Sequence, residues 1–366
     1  MTVLQVKLRN YPAALYSLSI VYVNTHSRSL RSGDLAYIIW VMKVSELGEF
    51  GLIELLSEIV SPMGKGLQII VGIGDDAAVW HSDDSMLLAT TDTLVQGVHF
   101  TARSTWRELG WKAIAINLSD IAAMGGIPQY ALVSLSLPGD TEVDDITQLY
   151  HGLAEAVNQF NMAVVGGNIS AAPLVMVNIT VIGQAETHGI LTRSAAVPGD
   201  LIAVTGYLGS SAAGLEMFSR DLEFDPETKA FLRNAHLQPQ PRVAEGRLLA
   251  KKGVRAAIDI SDGLVADLGH LCEASGVGAT LEIERIPVHP KVRAAFPEEY
   301  LDFALAGGED YELLFTACER IIDDIRTVAD FPISVVGEIT REKGINLLDK
   351  EGKPFPVVKR GWEHFK

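Results

Sequence analysis

Two adjacent aspartates, Asp75 and Asp76, follow an apolar stretch in the segment VGIGDDAAVW, residues 71–80. The apolar residues predict a buried strand, and Gly72 and Gly74 mark its end. Two carboxylates about 4 Å apart repel each other by about 1 kcal/mol in water and by about 4 kcal/mol at an effective dielectric constant of about 20. A positive group is therefore expected beside them.

A third aspartate, Asp92, lies in the predicted strand ATTDT after two threonines. Because neighbouring strand residues point to opposite faces, Thr90 projects with Asp92 and Thr91 projects away. Thr91 can then reach the same site only through its backbone carbonyl.

Two further groups of carboxylates lie beside buried elements. Asp120 is inside a helix that is apolar almost all round, with Asn117 one turn earlier on the same face. An ionised aspartate in such a place needs a partner or a metal ion. Asp259 ends the predicted strand of AIDISDGL, and Ser261 and Asp262 stand at the expected start of the next helix, where free N–H groups attract phosphate.

Each of these features alone is compatible with an ordinary structural role. Asp-Gly clusters at strand ends are commonly turns, a buried aspartate commonly pairs with a cation, and Asp262 can simply cap a helix. Together, hard oxygen ligands with almost no cysteine and no paired histidines favour Mg²⁺ or Mn²⁺ over Zn²⁺. An acidic protein needs such cations to bind phosphate ligands, so the pattern predicts metal-dependent phosphate chemistry.

The better-known phosphate-binding and hydrolase motifs do not occur in the sequence. GKG at residues 64–66 lacks the spacing of a G-x-x-x-x-G-K-[ST] loop, and the protein-kinase signatures and the G-x-S-x-G elbow are missing. VTGYLGSSAAG, residues 204–214, has the form of a phosphate-gripping turn, but a tight turn with Ser210 or Ser211 as helix N-cap accounts for it equally well. Any use of ATP therefore follows a less common architecture.

Composition narrows the class of protein. A chain of 366 residues is long enough for two domains, and its net charge of −16 makes nucleic acid and anionic membranes unfavourable partners. No apolar run approaches the ~20 residues that cross a bilayer. Cys272 and Cys318 lie far apart, which argues against a disulfide framework and suits a cytoplasmic location.

The first residues of the chain are expected to form an extension outside the two domains. Residues 15–23 are apolar and follow Lys7 and Arg9, as in a signal peptide, but no small-residue cleavage pattern follows them. We expect an extension over residues 1–41, with Met42 as a candidate initiator.

Strands and helices alternate along the rest of the chain. A capping box from Thr105 to Glu108 opens the long helix that follows the ATTDT strand. MAVVGGNIS, residues 162–170, predicts a short strand running into a glycine turn, and EDYELLFTA, residues 309–317, predicts a strand. A compositional shift over residues 187–200 predicts a boundary between two domains of α/β or α+β class.

A series of motifs, in order along the chain, carries a family resemblance. The chain resembles the thiamine-monophosphate kinase family, within the aminoimidazole ribonucleotide synthetase-like superfamily, in the motifs GEFGLIELL, GIGDDAAV, TTDTLVQGVHF, AINLSDIAAMGG, VVGGNIS, VTGYLGSSAAGL, DISDGLVADLGHL, GGEDYELLF and GWEHF. The resemblance covers the chain from about Lys43 to its end and leaves residues 1–41 outside it.

The resemblance implies a two-domain architecture of that superfamily, with an N-terminal α/β domain over residues 42–186 and an α+β C-terminal domain over residues 187–366. It also implies a homodimer built through the N-terminal domains and an ATP site between the domains that holds several Mg²⁺ ions. The implied reaction is ATP-dependent phosphorylation of thiamine monophosphate to thiamine diphosphate, the final step of thiamine diphosphate biosynthesis. Since a phosphate monoester is mostly dianionic at pH 7, no side-chain nucleophile or base is expected.

The family roles carry over to matching positions of this chain. Metal ligands are expected at Asp76, Thr90, Thr91, Asp92, Asp120, Asn168, Asp259 and Asp262. ATP contacts are expected at Tyr150, Gly167, Asn168, Arg193 and Ser261. Substrate contacts are expected at His99, Glu309 and Trp362. Many relatives carry aspartate where this chain has Asn168, whose amide oxygen brings less charge to a metal ion.

Residue types alone also allow ordinary structural roles at four of these positions. His99 can be a structural histidine, Trp362 tail packing, Arg193 a solvated linker residue and Glu309 a strand-edge charge. Two alternative functions also stay open. One is another ATP-using synthetase of the superfamily, although the cysteines that mark its selenophosphate and hydrogenase-maturation branches are missing here. The other is a non-enzymatic protein that binds metal or nucleotide.

Overall fold

A computed structural model describes residues 44–60, 69–82, 85–185, 189–356 and 361. The described residues fall into two units, residues 44–60 and residues 69–361. The first unit contributes one described helix, α1 (Val44–Val60), which is interrupted at Gly48, where φ is +76°. None of the described helices combines the length and the apolar character that crossing a membrane requires.

The second unit begins with a mixed six-stranded sheet in the order β1-β2-β3-β6-β4-β5. Its strands are β1 (Ile69–Val71), β2 (Ala78–Ser82), β3 (Ser85–Val95), β4 (Gly126–Leu137), β5 (Ala163–Ala171) and β6 (Met176–Ala185). Neighbours are antiparallel except β4 and β5. Helix α2 (Trp106–Ala123) packs on one face beside α3 (Val143–Gln159). The opposite face remains partly open, with Tyr130 and Leu132 exposed.

The expected glycine turn in MAVVGGNIS is wrong. β5 runs without a break through both glycines and pairs in parallel with β4. At Gly167, an added Cβ would lie 1.8 Å from the carbonyl oxygen of Val133. The glycine is therefore needed for close approach of two strands and not for a turn.

A second mixed sheet follows, in the order β12-β9-β11-β7-β10-β8. Its strands are β7 (Leu201–Thr205), β8 (Ala256–Asp259), β9 (Gly278–Glu282), β10 (Leu313–Ala317), β11 (Ile333–Thr340) and β12 (Gly344–Leu348). The helices of this half are α4 (Ser210–Ser219), α5 (Pro226–Leu237), α6 (Val243–Lys251), α7 (Leu264–Ser275), α8 (Pro290–Ala295), α9 (Tyr300–Ala306) and α10 (Glu319–Arg326). The two-domain expectation with mixed α and β structure in each half is confirmed.

Helix α2 forms where local sequence predicts it. The Thr105 side chain accepts the Glu108 N–H, and the Glu108 carboxylate accepts the Thr105 N–H at 2.8 Å, so the capping box is confirmed. Close packing against α3 depends on glycine, because a Cβ at Gly110 would lie 1.9 Å from the Leu149 carbonyl oxygen.

The largest apolar core runs through α2, the first sheet and the adjoining strands of the second sheet. Ile114 of α2, Ile179 of β6 and Phe315 of β10 all belong to it. Helix α2 also contacts β8, α5 and α6. The helix that carries Asp120 is thus packed against both halves, and this packing brings residues distant in sequence to one place.

Candidate active site

Three aspartates from separate elements meet where the two halves join. Asp76 lies between β1 and β2, Asp120 near the end of α2, and Asp259 at the end of β8. Each offers one carboxylate oxygen, and these oxygens all lie within 4.8 Å of one another. Asp76 and Asp259 are buried. The structure therefore brings together carboxylates from both halves, as the sequence led us to expect.

Strand β3 adds Asp92 and Thr90 to this group. Thr90 Oγ1 donates a hydrogen bond of 2.6 Å to Asp120 Oδ2. The charge of Asp92 helps to raise the pKa of both Asp120 and Asp259, which places it beside them. Thr91 points to the other face of the sheet, so the predicted alternation is confirmed. We call Asp76, Asp92, Asp120 and Asp259 the acidic cluster.

Neutral side chains on α2 hold the acidic cluster in position. Ser119 Oγ donates to Asp259 Oδ2 at 2.6 Å, and both residues are buried. Asn117 Oδ1 accepts the backbone N–H of Asp92 at 3.1 Å. Sequence pattern indicated Asn117 as a companion of Asp120, whereas Ser119 was not predicted.

Burial raises the pKa of every member of the acidic cluster, and repulsion by neighbouring aspartates adds to it at Asp120 and Asp259. Burial is the largest cause for each member, and it raises the pKa of Asp92 to about 6. Burial, together with Asp76, raises the pKa of Asp259 to about 7. The pKa of Asp120 lies well above its usual value because Asp92, Asp259 and Asp76 add to burial. These shifts favour the protonated form of the carboxyls, and a nearby cation would favour the ionised form.

The donor set fits a divalent cation that prefers oxygen ligands. Carboxylates and the Thr90 hydroxyl offer only oxygen, as Mg²⁺ requires. Asp76 Oδ2 is buried and has no hydrogen-bond partner within the described part of the chain. A buried carboxylate oxygen without a donor is costly, and a bound cation would satisfy it. The assignment of these residues as metal ligands stays a prediction.

Arg193 is the cation that faces the two adjacent aspartates. Its guanidinium forms an ion pair with Asp76, with Nε 3.2 Å from Oδ1. Its backbone N–H donates to Asp75 Oδ2 at 3.1 Å. Burial is the largest single cause and lowers the pKa of Arg193, but Asp76, Asp259 and Asp75 together outweigh it, so the net shift is upward. Arg193 is therefore not a solvated linker residue, and its expected contact with ATP stays a prediction.

Ser261 and Asp262 lie in a turn ahead of α7, with Gly263 as the N-cap residue, so a capping role for Asp262 is wrong. The N–H groups of Ser261, Asp262 and Gly263 all donate to Asp267 Oδ2, at 3.1, 3.1 and 3.0 Å. The amides expected to attract phosphate are thus bonded to a carboxylate. Asp262 groups with Asp267 and His270 and not with the acidic cluster.

In the turn before α4, a carboxylate of the protein likewise accepts hydrogen bonds from the backbone N–H groups. Gly209, with φ of +80°, is the N-cap residue, so an N-cap at Ser210 or Ser211 is wrong. Asp310 Oδ2 accepts the Gly209 N–H at 2.6 Å, and Oδ1 accepts the Ser211 N–H at 3.1 Å. The amides that gave VTGYLGSSAAG the form of a phosphate-gripping turn are therefore bonded to Asp310.

Glu309 precedes β10 in a left-handed backbone conformation with φ of +66°, so its assignment as a strand-edge charge is wrong. Its Oε1 lies 2.8 Å from Nζ of Lys112, and its Oε2 lies 3.3 Å from Nδ1 of His236. Burial raises the pKa of Glu309, but Lys112, His236 and His99 outweigh burial and lower it. His99 and Glu309, both expected at the substrate, thus lie near each other, beside Lys112 and His236, which were not predicted.

The remaining expected nucleotide contacts lie apart from the acidic cluster within one chain. Gly167 is in the same cross-strand row as Asp92 but three strands away, roughly 14 Å at the usual spacing of strands. Asn168 is the next residue along β5 and so faces the other side of the sheet. Tyr150 lies on α3 beside an apolar groove that contains Ile146. Trp362 lies outside the described residues.

Comparison with known families agrees with this architecture. Residues 74–185 match the model for the N-terminal domain of AIR synthase related proteins, and residues 197–350 match the model for their C-terminal domain. The fold and the join between its halves therefore define an AIR synthase related protein.

Similarity to individual proteins identifies the branch of this family to which the chain belongs. The thiamine-monophosphate kinase of Aquifex aeolicus is 37% identical over 329 residues, which is 88% of this chain and all of that protein. The thiamine-monophosphate kinase of Bacillus subtilis is 35% identical over 81% of this chain and 94% of its own length. A solved structure described as AaThiL complexed with AMPPCP and TMP superposes with a TM-score of 0.79 at 35% identity, covering 89% of this chain and 100% of that one. The chain belongs to the thiamine-monophosphate kinase family.

Proposed function

We propose that the protein transfers the terminal phosphoryl group of ATP to the phosphate of thiamine monophosphate, giving thiamine diphosphate and ADP. Relatives of that name match along most of the chain, and a similar structure is described as holding AMPPCP and TMP. The observation that carries the proposal is the acidic cluster, in which carboxylates of both halves converge. Such a cluster suits two polyanionic reactants that must be brought together through cations.

The chemistry needs charge cancellation and alignment more than proton transfer. Mg²⁺ ions bound at the acidic cluster would offset the charge of the two phosphate groups. The acidic cluster would hold them, with Thr90 orienting Asp120 and Ser119 orienting Asp259. The attacking phosphate oxygen is already deprotonated at pH 7, so no side chain has to act as a base.

Further contacts complete the proposed cation and ATP site. By the family resemblance we assign metal contacts to the Thr91 carbonyl and Asp262, and ATP contacts to Arg193 and Ser261. A metal contact of Asn168 would need a second copy of the chain, because Asn168 lies apart from the acidic cluster. Arg193 is charged and already lies against the acidic cluster. Once cations neutralise Asp76, the guanidinium is free to meet phosphate oxygens.

We propose a homodimer through the first sheet. All residues of edge strand β5 are exposed, among them the apolar Val165 and Ile169, and Tyr130 and Leu132 are exposed on the neighbouring strand. A long apolar edge strand is normally covered by another surface. Nucleotide contacts at Tyr150, Gly167 and Asn168 would then depend on how a second copy covers this part of the sheet.

The ring system of the substrate is proposed to lie beside Glu309, His99 and Trp362. The lowered pKa of Glu309 keeps its carboxylate ionised, which suits a cationic thiazolium ring. His99 Nδ1 accepts the Val95 N–H at 3.0 Å, so Nε2 carries the proton of the neutral ring and can donate to a ligand.

A coupled assay tests this function. Purified protein is given ATP and Mg²⁺, and ADP release is followed with and without thiamine monophosphate, with thiamine diphosphate identified by chromatography. We expect ADP release only when both Mg²⁺ and thiamine monophosphate are present. Nucleotide binding without substrate-dependent ADP release would favour a nucleotide sensor and contradict the proposal.

A further inference from the structure

Lys112 is a buried lysine in the middle of an apolar helix. Only 3% of its side chain is exposed, and its Nζ lies 2.8 Å from Oε1 of Glu309. Within the part of the chain that the structure describes, Nζ has no hydrogen-bond partner, so its contact with Glu309 is an ion pair. A buried ammonium group is costly unless it is paired, so this residue needs a reason beyond packing.

The partner of Lys112 is held in an uncommon backbone conformation. Glu309 has φ of +66°, and Tyr311, two residues on, has φ of +51°. The Glu309 N–H donates to the carbonyl oxygen of Ser261 at 2.7 Å, and the Tyr311 N–H donates to that of Ile260 at 2.9 Å. Non-glycine residues in this region are strained and persist where surrounding contacts impose them. The backbone thus directs the Glu309 side chain towards α2.

Lys112 and Ser119 lie seven residues apart on α2 and therefore share one face of the helix. Ser119 bonds to Asp259 in the acidic cluster, and Lys112 pairs with Glu309. The two contacts are about 10 Å apart along the helix axis, from the rise of the helix. One face of α2 therefore fixes both the metal side and the expected substrate side of the site.

We propose that Lys112 is a positioning residue for the substrate, because its buried ammonium group holds Glu309 in place as an ionised acceptor for the rings of thiamine monophosphate. The inference rests on the proposed function and assigns to Lys112 a role in substrate affinity and not in phosphoryl transfer. Glu309 is 26% exposed, so its carboxylate can reach a ligand while Lys112 approaches it from the buried side.

The remaining groups that face Glu309 do not replace Lys112. His236 approaches from α5, but burial lowers its pKa to about 4, so it is neutral at pH 7. His99 approaches from the turn after β3, and Tyr311 from the same loop. Of the two side chains within ion-pair distance of Glu309, Lys112 lies closer, at 2.8 Å against 3.3 Å for His236.

The test compares Lys112→Met with wild type in the coupled assay. Methionine keeps the length and the apolar character of the side chain but removes the charge. We expect KM for thiamine monophosphate to rise roughly thirtyfold or more, the usual effect of removing one partner from a buried charge pair. We expect kcat and KM for ATP to stay within about twofold, since the acidic cluster is untouched.

The pH profile separates positioning from simple packing. Burial without a cation raises the pKa of Glu309, so kcat/KM for thiamine monophosphate should increase as the pH rises from about 5 to about 8 in Lys112→Met. In wild type Glu309 is ionised throughout this range and contributes no such slope. The slope should vanish in the double variant Lys112→Met/Glu309→Gln.

Arg242→Met provides a matched control. Arg242 is also paired with a buried carboxylate of the same segment, with its Nε 2.7 Å from Oε2 of Glu312, but neither residue is placed at the substrate. This variant should lose stability without a selective rise in KM for thiamine monophosphate and without the new pH slope.

The double variant decides the matter if Lys112→Met fails to fold. Lys112→Met/Glu309→Gln leaves no unpaired charge and should show the same KM for thiamine monophosphate as Glu309→Gln alone. A further rise in KM would mean that Lys112 contacts the substrate itself and would overturn the positioning role. Normal wild-type turnover beside a Lys112→Met variant with unchanged KM and no new pH slope would overturn this inference alone. Wild-type protein that releases no ADP with thiamine monophosphate would overturn the proposed function as well.

Discussion

Replacing Arg193 with glutamine should destabilise the protein mainly when no divalent cation is present. In the structure Arg193 is the positive group beside Asp76, and its backbone N–H also donates to Asp75. Without it, a fully buried carboxylate loses its counter-charge. A cation bound at the acidic cluster would supply that charge instead, so the effect of the substitution depends on Mg²⁺.

The size of the effect follows from the burial of the pair. Removing one partner of a buried ion pair costs about 3–5 kcal/mol when the other charge stays uncompensated. The Arg193 side chain keeps 22% exposure, and burial raises the pKa of Asp76, so the carboxyl can take up a proton once Arg193 is gone. Both features reduce the cost, and we expect a loss of about 2 kcal/mol in unfolding free energy at pH 7.5 in EDTA. In millimolar Mg²⁺ the gap should shrink to less than about 1 kcal/mol.

The measurement is urea unfolding followed by circular dichroism, in EDTA and in Mg²⁺, without nucleotide. Arg220→Gln is the control, because Arg220 pairs with Glu299 at the surface with 47% of its side chain exposed. That exposed pair should contribute little to stability and respond to neither condition. Equal stability of Arg193→Gln and wild type in EDTA, or an equal loss with and without Mg²⁺, would refute the reasoning.

Three further results are expected. Asp120→Asn or Asp92→Asn should reduce turnover a hundredfold or more, because the amide is a poorer metal ligand than the carboxylate. Little folded protein should be lost, because the amide resembles the protonated carboxyl that burial favours. Near-normal activity in either purified variant would contradict a metal role. Ser119→Ala removes the 2.6 Å hydrogen bond to Asp259 and should weaken Mg²⁺ binding about tenfold in calorimetric titration. Burial lowers the pKa of His236 from 6.5 to about 4, so the unfolded chain binds a proton at this residue before the folded protein does. The folded protein therefore loses stability as the pH falls from about 6.5 to about 4. In urea unfolding, His236→Gln should lose less stability over this pH range than wild type.

The parts of the fold that could be predicted from sequence are those set by neighbours along the chain. The capping box at Thr105 and Glu108 needs only residues three apart, and the alternation of Thr90, Thr91 and Asp92 follows from the pleat of one strand. The aspartates of the acidic cluster stood out because charges are rare beside buried elements. Local rules therefore predicted most of the strands and helices and the aspartates that form the acidic cluster.

The contacts that sequence could not give join residues far apart in the chain. In the sequence, Lys112 is an ordinary lysine in a helix and Arg193 is a linker residue. Only the folded structure shows that Lys112 pairs with Glu309 of the other half and that Arg193 pairs with Asp76. Glycine carries the same ambiguity, because at Gly167 it permits close approach of strands where the pattern had indicated a turn. Which cation faces which carboxylate depends on domain packing, and no spacing rule records it.

Helix α2 links these long-range contacts into one arrangement. Its Lys112 forms an ion pair with Glu309, and its Ser119 donates a hydrogen bond to Asp259. The second half of the chain supplies these two carboxylates from separate segments. Because both are tied to a single helix, the distance between the proposed substrate side and the proposed metal side is set by the helix rise and not by a loop. Phosphoryl transfer without a catalytic base depends on alignment of the two reactants, and a rigid spacing between their binding groups supplies that alignment.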